Sequence, residues 1–228
     1  MKSLSRLALA AVAILASATL AVAQAPSGVF NKLDVQTLVA AGTPEANATL
    51  ASHFAALADR YTAEAARHKD MAKAYASNGN RGVATNIAPH CARLADIATE
   101  SATAAREMAR YHEQLAGGNA PIAPKNAGAF QSGKGAPEPN AADLHHLAMM
   151  ARTPADHRSL EEYFTTLAKK NTADAEDHVR MAQAYRAGVR KSLDDPAAHC
   201  DRLAKLAREA ATEATAAAEL HRQLANVG

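Results

Sequence analysis

The sequence of 228 residues contains no tryptophan, and aromatic residues make up only 4% of it. A chain with few aromatic and many alanine residues buries its apolar area through small side chains, which suits closely packed helices. A β-sandwich needs strands rich in β-branched and aromatic residues, so this composition excludes it. We therefore expect an all-α protein.

Long apolar runs are missing except at the N-terminus, where residues 7–22 form one and end in two small-x-small sites. This pattern predicts a secretory signal peptide over residues 1–25, with cleavage after Ala23 or Ala25. No other stretch is long enough to cross a bilayer. The mature protein is expected to be soluble, periplasmic or secreted, and without a membrane span after signal cleavage.

The predicted mature chain has no formal net charge. The whole sequence has 25 Lys and Arg against 23 Asp and Glu, and the signal peptide removes Lys2 and Arg6 but no acidic residue. No basic block stands out in the remainder, which argues against nucleic acid as a partner. The sequence points to no particular protein partner.

Catalytic motifs are also missing. The chain has no Gly-rich phosphate loop, no Gly-x-Ser-x-Gly and no His-Glu-x-x-His. The Glu-x-x-His pairs of di-iron bundles are absent, since Glu64 and His68 are four residues apart. We therefore predict that the protein is not an enzyme.

The chain does contain an internal duplication, in which residues 43–116 recur at 153–225. Roughly half of the aligned positions are identical, which is well above chance for an alanine-rich chain. Each copy starts with a Thr-Pro pair, a favoured N-cap followed by the favoured first helical residue. The predicted boundaries are a first helical hairpin repeat at 32–116, a Gly- and Pro-rich linker at 117–140 and a second repeat at 141–228.

Apolar residues in each copy alternate at spacings of four and three, which is the pattern of a helix packed along one seam. Each copy therefore predicts a long helical hairpin, with a short extra helix before it at roughly 32–41 or 142–151. A lone hairpin would leave its seam exposed, whereas two hairpins packed face to face bury it. The expected fold is an internally duplicated four-helix bundle.

Side chains that bind metals occupy matched positions near the loop of each hairpin. Folding the first hairpin about its loop brings the start of the second helix to the polar end of the first helix. His, Met and Cys are common ligands of copper and zinc, so both ions are candidate cofactors. Glu64 and Asp174 lie one turn before a histidine of the set and could orient it. The predicted ligands are His68, Met71, His90, Cys91, His178, Met181, His199 and Cys200.

The sequence also allows other interpretations of these residues. His112 and His221 could form a separate site, or could be polar seam residues hydrogen-bonded to a neighbour. If both loops lie at one end of the bundle, Cys91 and Cys200 could form a disulfide within a structural or protein-interaction module, and if not, both are free. A haem is a third candidate cofactor, and it would be non-covalent because the chain has no Cys-x-x-Cys-His motif.

Overall fold

The computed structural model describes residues 32–79, 81–117, 140–188 and 195–227, and these residues form six α-helices and no strand. The predicted all-α class and the two long hairpins, each preceded by a short helix, are confirmed. The predicted signal peptide and nearly all of the predicted linker lie outside the described residues. The helices are α1 (Lys32–Ala41), α2 (Pro44–Ala76), α3 (Arg81–Leu115), α4 (Ala141–Met150), α5 (Pro154–Ala187) and α6 (Pro196–Val227).

Both long hairpins begin at the predicted Thr-Pro pairs because each threonine caps its helix. The Thr43 hydroxyl accepts a hydrogen bond from the backbone N–H of Ala46 at 3.2 Å. Thr153 does the same for Asp156, whose carboxylate accepts the Thr153 N–H at 3.0 Å and completes a capping box. Each cap satisfies backbone donors that the first helical turn leaves unpaired.

The four long helices do not contact one another equally. Helix α2 packs along α3, α5 packs along α6, and α3 also packs against α6. No described Cα atom of α2 comes within 8 Å of α5. The short helices α1 and α4 each touch both α2 and α5, so they fill part of the space between these two helices.

Two apolar clusters show that the hairpins run in opposite directions. The first, which we call the loop-1 core, joins Met71 and Cys91 beside the α2–α3 turn to Phe164 near the start of α5. The second, the loop-2 core, joins Phe54 near the start of α2 to Met181 and Cys200 beside the α5–α6 turn. The two interhelical turns therefore lie at opposite ends of the bundle, named here the loop-1 end and the loop-2 end.

This arrangement relates the two repeats by an approximate two-fold axis, so that matched positions occur at opposite ends. The apolar seams of both hairpins face inward, and their leucine and phenylalanine side chains are buried except at the ends of α3 and α6, where Leu115 is exposed and Leu224 is half-buried. None of the described helices has the length and apolar composition that a membrane-spanning helix needs.

Candidate functional site

The predicted copper or zinc site is wrong. Nowhere among the described residues do three or more His, Cys, Asp or Glu side chains gather in a way that could hold a metal ion. The antiparallel hairpins place the two proposed ligand sets at opposite ends of the bundle. Within each set, the side chains also lie in different surroundings, some in the apolar core and others beside charged residues. The alternative of a non-covalent haem stays a prediction.

His90 and His199 lie at the contact between α3 and α6, where each pairs with a carboxylate of the other repeat. Nδ1 of His90 lies 2.7 Å from Oε2 of Glu213, and Nδ1 of His199 lies 3.2 Å from Oε2 of Glu107. All four side chains are about 30% exposed. These histidines join the two repeats and do not turn toward the other proposed ligands.

The proposed sulfur ligands are core residues. Met71 and Cys91 belong to the loop-1 core, whereas Met181 and Cys200 belong to the loop-2 core. Burial raises the pKa of the Cys91 thiol well above its usual value and that of Cys200 to about 12. Both thiols therefore stay protonated at neutral pH, which disfavours metal ligation. The predicted disulfide is also wrong, because the cysteines lie in separate cores and both are free.

Glu64 and Asp174 do not orient histidines but form an ion quartet with Arg60 and Lys170. The Lys170 amine lies 2.7 Å from Glu64 and 3.7 Å from Asp174, and the Arg60 guanidinium lies 3.0 Å from Asp174. Burial alone would raise the pKa of Glu64, but the two cations hold it below its usual value. The quartet bridges the middle of α2 and α5, whose backbones are too far apart for small side chains to meet.

His68 and His178 lie deeper, at the centre of the bundle. The Tyr61 hydroxyl is hydrogen-bonded to Nε2 of His178 at 3.1 Å. The second repeat has Asn171 where the first has Tyr61. Nδ1 of both His68 and His178 is buried without a hydrogen-bond partner among the described residues. Burial lowers the pKa of His68 to about 4 and that of His178 to about 3, so both imidazoles are neutral.

His112 forms a polar bridge between the repeats at the loop-2 end. Its Nδ1–H donates to the Asn47 side-chain oxygen at 2.9 Å, so its Nε2 accepts a hydrogen bond from the Tyr185 hydroxyl at 2.7 Å. The Phe54 ring lies parallel to the imidazole, with 5.7 Å between ring centroids. Burial, together with the nearby His53, lowers the pKa of His112 to about 3.

The loop-1 end carries the matching bridge through His221. The Tyr75 hydroxyl is hydrogen-bonded to Nε2 of His221 at 2.9 Å, and the Phe164 ring stacks on the imidazole. His157 takes the place that Asn47 has at the other end, with 3.1 Å between the two Nδ1 atoms. His112 and His221 are therefore hydrogen-bonded core residues, as one of the sequence interpretations held. Their tyrosine partners were not predicted.

A pocket of about 280 Å³ opens beside the His112 bridge at the loop-2 end. Both repeats contribute to its walls, and none of the described side chains that line it is charged, because burial keeps His112 neutral. We call this space the end pocket. It is lined by Val39, Ala40, Ala41, Gly42, Asn47, Leu50, Tyr111, His112, Leu115, Tyr185, Gly188 and Pro196.

The matching positions at the loop-1 end carry larger side chains. Asn78 stands where the second repeat has Gly188, and its buried amide donates to the carbonyl of Ala148 at 3.2 Å. Ile87 stands where the second repeat has Pro196, and it is fully buried. The two ends therefore share the Tyr–His bridge but differ in the side chains beside it.

Comparison with known proteins adds no further evidence on function. No protein-family model, no curated protein and no solved structure matches the chain.

Proposed function

We propose that the protein is an exported, non-catalytic binding protein whose end pocket takes one small uncharged molecule. The replacement of Asn78 by Gly188 between the repeats carries this proposal, because it leaves space at one bundle end where the other end has a buried side chain. Binding pockets commonly lie between packed elements and combine apolar walls with a few polar groups. The end pocket likewise combines apolar walls with a few polar groups.

The lining of the pocket indicates the chemistry of its ligand. The tyrosines Tyr111 and Tyr185, together with Asn47, supply polar groups among alanine, valine and leucine side chains. Among the described lining residues a charged ligand would lose hydration without gaining a counter-charge, which is costly. A compact neutral molecule with one or two hydrogen-bonding groups avoids that cost.

Protein-observed NMR with matched small probes tests the proposal. Benzyl alcohol serves as the neutral probe, and benzoate and benzylamine serve as its charged analogues. At about 0.3–0.6 kcal/mol per non-hydrogen atom, benzyl alcohol would bind with a Kd of about 0.3–20 mM. We expect it to shift the amide signals of Gly42, Tyr111 and Gly188, and we expect the charged analogues to leave them unchanged.

The chain itself supplies the variant that should close the pocket. Gly188→Asn introduces the residue that the first repeat has at this position. Gly188 has a φ of −72°, and an added Cβ would meet only backbone oxygens at 3.4 Å or more, so the backbone tolerates the change. Gly79→Asn is the matched control, since an added Cβ there meets nothing within 4 Å.

Gly188→Asn should abolish the shifts caused by benzyl alcohol, and Gly79→Asn should preserve them. Equal binding by both variants would refute the assignment of the ligand to this pocket. Shifts caused by the charged analogues alone would refute the proposed ligand class.

The predicted signal peptide supports a location outside the cytoplasm. N-terminal sequencing of protein expressed in a bacterium with its full N-terminus tests this part separately. We expect the mature chain to start at Gln24 or Pro26. An intact N-terminus would contradict export by this route.

A further inference from the structure

A narrow cavity of about 20 Å³ lies at the centre of the bundle, where the four long helices meet. It is separate from the end pocket and shares none of its lining residues. Its polar lining comes from both repeats and includes His68, Ser101 and Asn171, each no more than 6% exposed. We call it the central cavity.

The central cavity occurs where the two repeats differ. On one side of the two-fold axis, the long side chain of Tyr61 reaches His178 directly at 3.1 Å. On the other side, the shorter Asn171 takes the place of the tyrosine opposite His68. Ser101 adds a hydroxyl where the second repeat has Ala210. The repeat difference therefore creates space and adds polar groups in the same place.

We infer that the central cavity binds one water molecule, which links His68 of the first repeat to Asn171 of the second. A water molecule needs roughly 10–15 Å³ of such space and two to four polar partners, and the cavity meets both conditions for a single molecule. Nδ1 is buried without a partner among the described residues in both His68 and His178, but only the His68 imidazole lines the cavity. Leaving a buried imidazole nitrogen unpaired is costly, and a water bonded to the His68 ring reduces that cost.

The site suits water better than an ion. The charge of Glu64, which lines the cavity, is already balanced within the ion quartet, where two cations pair with two carboxylates. Water donates and accepts, so it satisfies the imidazole nitrogen in either tautomer and still bonds the Asn171 amide. On the other side of the axis, the Tyr61 hydroxyl bonds the His178 imidazole directly.

Two measurements test the water site. A crystal structure that resolves ordered solvent should show one density peak within about 3.2 Å of both a ring nitrogen of His68 and the Asn171 amide. Oxygen-17 relaxation dispersion, which counts long-lived internal waters, should show the loss of one water in Asn171→Leu. Asn86→Leu is the control, since it makes the same change at an exposed position of α3 and should lose none.

Ser101→Ala provides a second variant with little risk to folding, because the second repeat already has alanine there. It removes one polar partner and should shorten the residence time of the water. A crystal structure with no density between His68 and Asn171 would overturn the inference. Equal numbers of long-lived waters in the wild-type protein and Asn171→Leu would overturn it as well.

Discussion

Acidification from pH 7 to pH 5 should unfold the bundle through its buried histidines. Burial is the main cause of the low pKa of five histidines. Their pKa falls from an ordinary value of 6.5 to about 4 for His68 and to about 3 for the other four. Each imidazole is therefore neutral in the folded state and becomes protonated readily once the chain unfolds. The five groups are His53, His68, His112, His178 and His221.

The direction and size of the effect follow from proton linkage. Because the folded pKa values lie below the unfolded one, the unfolded chain binds more protons between pH 6.5 and about pH 3–4. The stabilisation is complete above pH 6.5 and is lost as the pH falls through that window. At pH 5.5 each histidine lowers the free energy of unfolding by about 1.4 kcal/mol, and the five together lower it by about 7 kcal/mol. Single domains are stable by about 5–15 kcal/mol, so the midpoint should lie near pH 5.

Circular dichroism at 222 nm and urea titrations between pH 8 and pH 4 measure this effect. The free energy of unfolding should fall by several kcal/mol between pH 7 and pH 5, and the helical signal should return on neutralisation. A free energy that is constant between pH 7 and pH 5 would refute the reasoning. A transition confined below pH 4 would instead indicate carboxylates such as Glu64, whose pKa is already held low.

His157→Asn offers a matched variant for the same experiment. The first repeat has Asn47 at this position, and Asn47 accepts the Nδ1–H of His112 at 2.9 Å. The variant should therefore keep a hydrogen bond to His221 while removing an imidazole whose pKa is lowered by burial. We expect its midpoint to move to lower pH. A midpoint equal to or above that of the wild-type protein would contradict a role for His157 in the transition.

Three further changes test the contacts between the repeats. Tyr75→Phe leaves a buried histidine nitrogen unpaired and should lower the free energy of unfolding by about 1–3 kcal/mol in urea titrations. Lys170→Met leaves the largely buried Glu64 carboxylate with a weaker partner and should lower the free energy of unfolding by about 3–5 kcal/mol. An unchanged free energy of unfolding would show that water screens the ion quartet. Cys91 and Cys200 should resist alkylation in the native protein and both react in guanidinium without reductant. A single reactive thiol, or none, would contradict two free buried cysteines.

Much of the fold could be predicted because local signals specify it. The Thr-Pro pairs set the starts of α2 and α5, since their hydroxyls cap the helices that follow. The alternating apolar spacing predicted one inward seam on each long helix, and those positions are the buried ones. The recurrence of the whole pattern then predicted two hairpins of the same kind.

The relative direction of the hairpins could not be predicted from these signals. An apolar seam is buried equally well whether two hairpins run parallel or antiparallel, so periodicity does not distinguish them. The choice depends on pairs of distant residues, such as Arg60 with Asp174 and Lys170 with Glu64. These pairs form across α2 and α5 only when the loops lie at opposite ends. The available signal was that matched positions carry like charges, Arg60 with Lys170 and Glu64 with Asp174, so that opposite charges meet only when the hairpins are antiparallel.

The predicted metal site failed because its ligands were brought together only by folding one hairpin about its loop. Such folding shows which residues lie at the same level of the hairpin, but not which way their side chains point, and His90 turns to Glu213 while Met71 and Cys91 enter the core. The antiparallel arrangement instead sends His112 to Tyr185 and His221 to Tyr75, each across the repeat interface. The matched recurrence of histidines and tyrosines reflects two equivalent hydrogen-bonded bridges.

The positions at which the repeats differ carry more functional information than those at which they agree. A structural bundle built from two equal hairpins needs the same side chains at both ends and on both sides of its axis. In this protein, Gly188 replaces Asn78 beside one Tyr–His bridge, and Asn171 replaces Tyr61 at the centre. Both are exchanges of a larger side chain for a smaller one, and a pocket or cavity adjoins each small residue. Restoring the larger residue at position 188 therefore tests the proposed ligand binding apart from the stability of the bundle, because it should remove binding while the bridges that hold the repeats together stay intact.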